Sequence, residues 1–164
     1  MKTLKHTMLL ISLFCIIYTK AQTIHVMYTT DVHGALFPYD YITNTEKNNS
    51  LAHVHARTES VRDTAEHTIM LDAGDILQGS PAVYYYNYAD TTSLNIVPRV
   101  YNYMKYDAIC VGNHDIETGH NVYDKVRNQF VAPMLSANII RKDNGEPYFE
   151  PYTTITKGKK KITI

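Results

Sequence analysis

The chain has 164 residues, enough for one domain of ordinary size. Its 45% hydrophobic and 20% charged residues describe a globular chain and exclude a disordered one. The formal net charge is zero, and setting aside Lys2, Lys5 and Lys20 leaves 13 cationic residues against 16 acidic ones; with no basic patch, no nucleic-acid polymer is expected as partner.

Met1 to Ala21 reads as a secretory signal peptide. Lys2 and Lys5 give the positive start, Met8 to Tyr18 the apolar stretch, and Thr19 and Ala21 the small positions before a cut at Gln22. The apolar stretch is too short to span a bilayer comfortably, so no stable membrane anchor is expected, with an uncleaved anchor as the alternative. The chain is expected to be exported, to a periplasm or a cell surface. Cleavage leaves one cysteine, Cys110, which cannot form an internal disulfide and is expected to be a buried apolar residue.

The first strand is expected over Ile24 to Thr29, followed by a loop from Pro38 to Asn49. Ser50 to Arg62 reads as a helix, because Leu51, Val54, Thr58 and Val61 recur at spacings of three and four. Thr68 to Asp72 is a second strand and Gly74 to Pro81 a turn-rich loop. Helices follow over Ala82 to Tyr88 and Ser93 to Met104, with Tyr84, Tyr85, Tyr86 and Tyr88 read as packing residues. Asp107 to Val111 is a third strand. Thr118 to Phe130 is helical, with Val122, Val126 and Phe130 on one face. Met134 to Ala137 is a short fourth strand. Tyr152 to Thr156 and Lys161 to Ile164 form a hairpin whose basic run, Lys157 to Lys161, is solvated. Strands alternating with helices give an α/β fold class.

Three short strings stand where β-branched runs stop: Asp31-Val32-His33, Gly74-Asp75 and Gly112-Asn113-His114-Asp115. In open α/β sheets, groups just past the carboxyl ends of strands line one crevice. The mix of carboxylate, imidazole and amide suits hard or borderline divalent ions and not a thiolate site. Asp31 and His33 are two apart, so on a continuing strand both face one way and can hold one metal. Asp75 has two oxygens and can bridge two metals. Asn113 offers a neutral amide oxygen. His114 can face a substrate, where an imidazole titrating near neutrality assists a leaving alkoxide. Taken singly, each string also fits a turn or helix cap. The other histidines read as surface or sheet residues; His53 and His55, two apart on a helix, face different directions.

Thr30-Asp31-Val32-His33-Gly34, Gly74-Asp75 and Gly112-Asn113-His114-Asp115 resemble the calcineurin-like metallophosphoesterase signature. More narrowly, Gly74-Asp75-Ile76-Leu77-Gln78-Gly79-Ser80-Pro81 and Leu135-Ser136-Ala137-Asn138 resemble the exported 5′-nucleotidase and 2′,3′-cyclic-nucleotide phosphodiesterase group. Beyond the signal peptide read over 1–21, the resemblance implies a truncated catalytic domain over 22–164. That portion is the N-terminal half of an α/β/β/α β-sandwich flanked by helices. It also implies two divalent ions (Zn, Mn, Co or Mg), with Asp31 and His33 on the first, Asp75 bridging and Asn113 on the second. His114 would contact phosphate, and Glu117 would pair with His114. Gln78 either approaches the phosphate or orders its loop.

The substrate implied is a nucleotide, with a 2′,3′-cyclic nucleotide or 3′-nucleotide first. A 5′-nucleotide or nucleotide-sugar is the alternative, and an inactive metal-binding or interaction fragment the other. Relatives continue beyond Ile164 with a further histidine and a Gly-His-x-His pair, so this chain alone is expected to be a poor catalyst. The half-sheet is expected to expose an apolar edge. The sequence leaves the oligomeric state open.

Overall fold

A computed structural model describes residues 21–164. The expected signal segment, all but Ala21, lies outside the described residues. In chain order the elements begin with β1 (His25–Thr29), β2 (Tyr39–Asp40), β3 (Thr45–Glu46), α1 (Leu51–Arg62) and β4 (Thr68–Asp72). Then come α2 (Pro81–Tyr84), which runs into a π-helical segment (Tyr85–Ala89), and α3 (Ile96–Met104). The remainder is β5 (Ala108–Cys110), α4 (Asn113–Glu117), α5 (His120–Arg127), β6 (Met134–Leu135), β7 (Thr154–Lys157) and β8 (Lys160–Thr163).

Strands β1, β4, β5 and β6 form a parallel sheet in that order, each crossover carrying helix. The four strands and intervening helices confirm the α/β class. Register pairs Met27 with Met70, and Ile109 with Met134, on one face. Met70, Ile109 and Met134 share one apolar cluster with Leu51 of α1, Val97, Tyr101 and Met104 of α3, and Val122 and Val126 of α5. Side chains alternate across a strand, so Val26, Tyr28, Leu71 and Cys110 face the other way.

That second face is partly bare. Tyr28 is 74% exposed. Tyr28, Leu71, Cys110, Leu135 and Ile164 line an apolar cavity of about 390 Å³. One exposed apolar surface therefore lies on this sheet face. Cys110, expected to be buried, is exposed on it, because the core helices cover the face of Ile109 instead.

Three further departures have local causes. Pro38 to Asn49, read as a loop, contains the β2–β3 ladder. Its turn is set by the Asp40 carboxylate, which accepts from the Ile42 and Thr43 amides at 2.9 and 3.3 Å and pairs with Lys47 at 2.7 Å. The tyrosine run does not pack as expected. Tyr84 is 65% exposed, and Tyr85 and Tyr88 are also exposed. The buried residue of the π-helical segment is Asn87, whose amide donates to the Leu77 carbonyl at 2.8 Å and accepts from Asn95 at 2.8 Å. The helix expected over Thr118 to Phe130 is narrower, since Gly119 at φ +85° separates α4 from α5. The basic run does form the β7–β8 hairpin, with Lys157 anchored on Asp107 at 2.9 Å.

A polar network lies beneath the sheet's carboxyl end. Buried Asp72 accepts from Thr29, from the Tyr101 hydroxyl at 3.0 Å and from the Gly74 amide at 2.8 Å. Burial pushes its carboxyl up to about 6, against those hydrogen bonds. A carboxyl raised in the folded state holds its proton more tightly there, so stability falls as pH rises from the ordinary value towards 6. Relative to Asp72→Asn, the wild-type chain is expected to lose about 3 kcal/mol across this window, at ~1.4 kcal/mol per pH unit. Denaturant unfolding at each pH measures the difference; a constant gap contradicts it.

Candidate metal centre

Parallel strands β1, β4 and β5 are neighbours, so their carboxyl ends open on one side of the sheet. The segments leaving them are tied by backbone bonds. The Asp31 amide donates to the Gly74 carbonyl at 3.1 Å, and the His33 amide to the Asp75 carbonyl at 3.0 Å. The His114 amide donates to Asp75 Oδ1 at 2.9 Å. One carboxylate thus joins the second string to the third.

Asp31, His33 and Asp75 sit at φ +51°, +47° and +61°. Side-chain-bearing residues pay about 1–3 kcal/mol each to hold such angles, and such strain gathers at functional sites. Gly74 and Gly112 permit the close approach of their loops. A Cβ on Gly112 would lie 2.1 Å from Asp75 Oδ1, and one on Gly74 would lie 2.5 Å from the Gly112 nitrogen. Gly112→Ala is therefore expected to destabilise the chain by about 1–3 kcal/mol through overpacking and to weaken Mn²⁺ binding. A wild-type melting temperature for this variant contradicts the contact.

Ligand atoms of His33, Asp75 and His114 lie within 4.8 Å of one another, the one such grouping of three among the described residues. The His33 and His114 rings meet edge to face, with centroids 5.2 Å apart. Asp31 flanks this cluster, its Oδ1 4.0 Å from His33 Nε2. Asn113 is exposed in the first turn of α4. Donors of this chemistry fit a hard or borderline divalent ion. His114, read from the sequence as facing substrate, offers a ring nitrogen within 4.8 Å of ligand atoms of His33 and Asp75.

His114 Nδ1 is 2.8 Å from Glu117 Oε2. Gln78 Nε2 donates to the same oxygen at 3.4 Å. The Glu117 carboxylate raises the His114 imidazole above its ordinary value, and His114 lowers Glu117. With Nδ1 engaged, Nε2 is the ring nitrogen left to face the cluster. The glutamate's length does not prevent the pairing.

Asp115 received no role from the sequence. It is fully buried. Its Oδ2 accepts from the Gly112 and Asp75 amides at 2.9 and 3.0 Å, and its Oδ1 from the Ile76 and Leu77 amides, each at 2.9 Å. The available signal was a Gly-x-x-Asp spacing at a helix start, half of a capping box. His25, His53, His55, His67 and His120 lie outside the cluster.

A search against family models gave no match. The chain is 30% identical over 155 residues to a 2′,3′-cyclic-nucleotide 2′-phosphodiesterase/3′-nucleotidase of Yersinia enterocolitica, covering 90% of this chain and 24% of that protein. It is 29% identical to snake venom 5′-nucleotidase of Naja atra, covering 85% of this chain and 27% of that protein. The chain thus spans about a quarter of the length of these curated relatives. Among solved structures, the calcineurin-like phosphoesterase YfkN of Bacillus subtilis superposes with a TM-score of 0.74 at 26% identity, covering 84% of this chain and 45% of that one. The chain carries the N-terminal part of a calcineurin-like phosphoesterase fold. Within this fold, the three strings sit at the ends of adjacent parallel strands, as the β-branched runs before them led one to expect.

Proposed function

We propose that these residues supply the N-terminal portion of an exported two-metal phosphoesterase that hydrolyses nucleotides, with 2′,3′-cyclic nucleotides and 3′-nucleotides first. The observation that carries it is the convergence of His33, Asp75 and His114 donor atoms within 4.8 Å at three strand ends. The names of the relatives support the substrate class. Residues 22–164 are the N-terminal portion of the catalytic domain, and Met1 to Ala21 directs export. Among the described residues, no helix is long and apolar enough to cross a membrane. A mature N-terminus at Gln22, read by mass spectrometry, supports export; retention of Met1 to Ala21 contradicts it.

Asp31 and His33 would hold one divalent ion, Asn113 the other, and Asp75 would bridge them. Zn, Mn, Co and Mg all fit such donors. When bound, a metal pair supplies Lewis-acid polarisation of the phosphoryl group and neutralises developing charge. His114 gives a proton from Nε2 to the leaving ribose oxygen. Glu117 keeps the ring in the tautomer and orientation that this requires, through Nδ1. Gln78 orders Glu117.

With Mn²⁺, Co²⁺ or Zn²⁺, the purified chain is expected to hydrolyse a 2′,3′-cyclic nucleotide slowly and to stop on chelation. Hydrolysis unaffected by exhaustive chelation contradicts the two-metal reading. Hydrolysis of 5′-nucleotides with none of cyclic or 3′-nucleotides contradicts the order of substrates.

A further inference from the structure

We propose that Asp115 is a positioning residue that clasps the Asp75 loop to the Asn113–His114 loop, holding both in place before any ion arrives. The proposal rests on the reading of Asp75 and Asn113 as metal ligands for its purpose, and on the hydrogen bonds alone for its existence.

A helix-capping aspartate needs only the amide at the start of its own helix. Asp115 makes that bond, to Gly112, and three more to Asp75, Ile76 and Leu77, which lie 38 to 40 positions earlier in the chain. Capping does not account for those three. Each carboxylate oxygen accepts two amides, so both are fully used. The traffic is reciprocal: the Asp75 carboxylate accepts the His114 amide at 2.9 Å. Together the two aspartates form a closed ring between the loops. Asp115 fixes the backbone of the Asp75 segment, and Asp75 fixes the backbone of the His114 segment.

Burial adds to the effect. With no exposed surface, Asp115 cannot exchange these amides for water. Hydrogen bonds to a charged acceptor are stronger than neutral ones, and leaving their donors unpaired in the interior is unfavourable. The bare glycine backbones at Gly74 and Gly112 let the loops close on this carboxylate. Asp75 and His33 are held at positive φ, and a strained backbone persists only where its surroundings over-determine it. The clasp supplies that constraint for Asp75 directly. It reaches His33 through the bond from its amide to the Asp75 carbonyl, at 3.0 Å.

Asparagine at 115 keeps one acceptor oxygen and turns an NH₂ group toward two amide donors. The lesion is confined to the clasp. Val126→Ala, in the fully buried core face of α5, serves as a comparison that loosens the core without touching either loop.

The test is amide hydrogen exchange on the metal-free chain, followed by Mn²⁺ titration read by paramagnetic broadening of amide signals. In the wild type, the Gly112, Asp75, Ile76 and Leu77 amides should exchange slowly and as one group. Asp115→Asn should speed all four by about tenfold or more, whereas Val126→Ala should leave them grouped. Asp115→Asn should also weaken Mn²⁺ binding by about 10–100-fold, the range seen on loss of a partner that orients a ligand. Four wild-type amides that exchange fast or independently would overturn the proposal, and this holds even if Asp115→Asn does not fold. So would a folded Asp115→Asn with wild-type exchange. Should Mn²⁺ leave the wild-type signals sharp, the metal reading of the site fails, while grouped exchange that breaks in Asp115→Asn still supports the clasp.

Discussion

His114→Ala is expected to lower turnover of a nucleotide substrate by about 10²–10⁴-fold, the range for acid–base assistance. On the proposed reading, a ribose oxygen leaves as a poor alkoxide and would take the His114 proton. A p-nitrophenolate leaves without one. The same variant should therefore lose far less on a p-nitrophenyl phosphodiester than on a cyclic nucleotide. Equal losses on the two substrates would show that His114 acts through the metals or the fold and not at the leaving group. Glu117→Gln should fall between wild type and His114→Ala, because it weakens the hold on Nδ1, now 2.8 Å from the carboxylate, without removing the ring. Wild-type turnover of the nucleotide by His114→Ala would contradict its role.

Asp75→Asn is expected to have the largest effect on metal binding. Asp75 is the proposed bridge, and its Oδ1 also accepts the His114 amide. An amide in its place would lose the charge that both ions would share and offers one oxygen instead of two. Mn²⁺ affinity should fall by more than the ~10–100-fold that follows loss of a merely supporting partner. Asn113→Ala should spare the first ion and lose the second. Calorimetric titration with Mn²⁺ separates the two variants. Unchanged stoichiometry in Asp75→Asn would contradict the bridge.

Much of this site was legible because its chemistry is local. Asp31-Val32-His33, Gly74-Asp75 and Gly112-Asn113-His114 each follow a β-branched run, and parallel strands deliver their carboxyl ends together. Sequence spacing also supplied α1, whose Leu51 and Thr58 are buried as the pattern required. What was not legible depends on partners distant in sequence. Asp115 reads as an ordinary cap until the Asp75 loop, some 40 positions away, is brought against it. Cys110 sits in an apolar run, and its exposure follows from which sheet face the helices cover. The outward tyrosines depend on Asn87 taking the inward position of a π-helical segment, which a 3.6-residue period does not describe. The β2–β3 ladder rests on side-chain bonds from Asp40 and is too short for alternation to show.

Three strand ends converge on a candidate divalent-metal centre. Anomalous diffraction from crystals of the chain equilibrated with Mn²⁺ tests it most directly. Anomalous density is expected within coordinating distance of His33 and Asp75, on the side of the cluster flanked by Asp31, with His114 Nε2 facing the same space. Anomalous density confined to other histidines or to the acidic surface, with this cluster empty at saturating Mn²⁺, would contradict it.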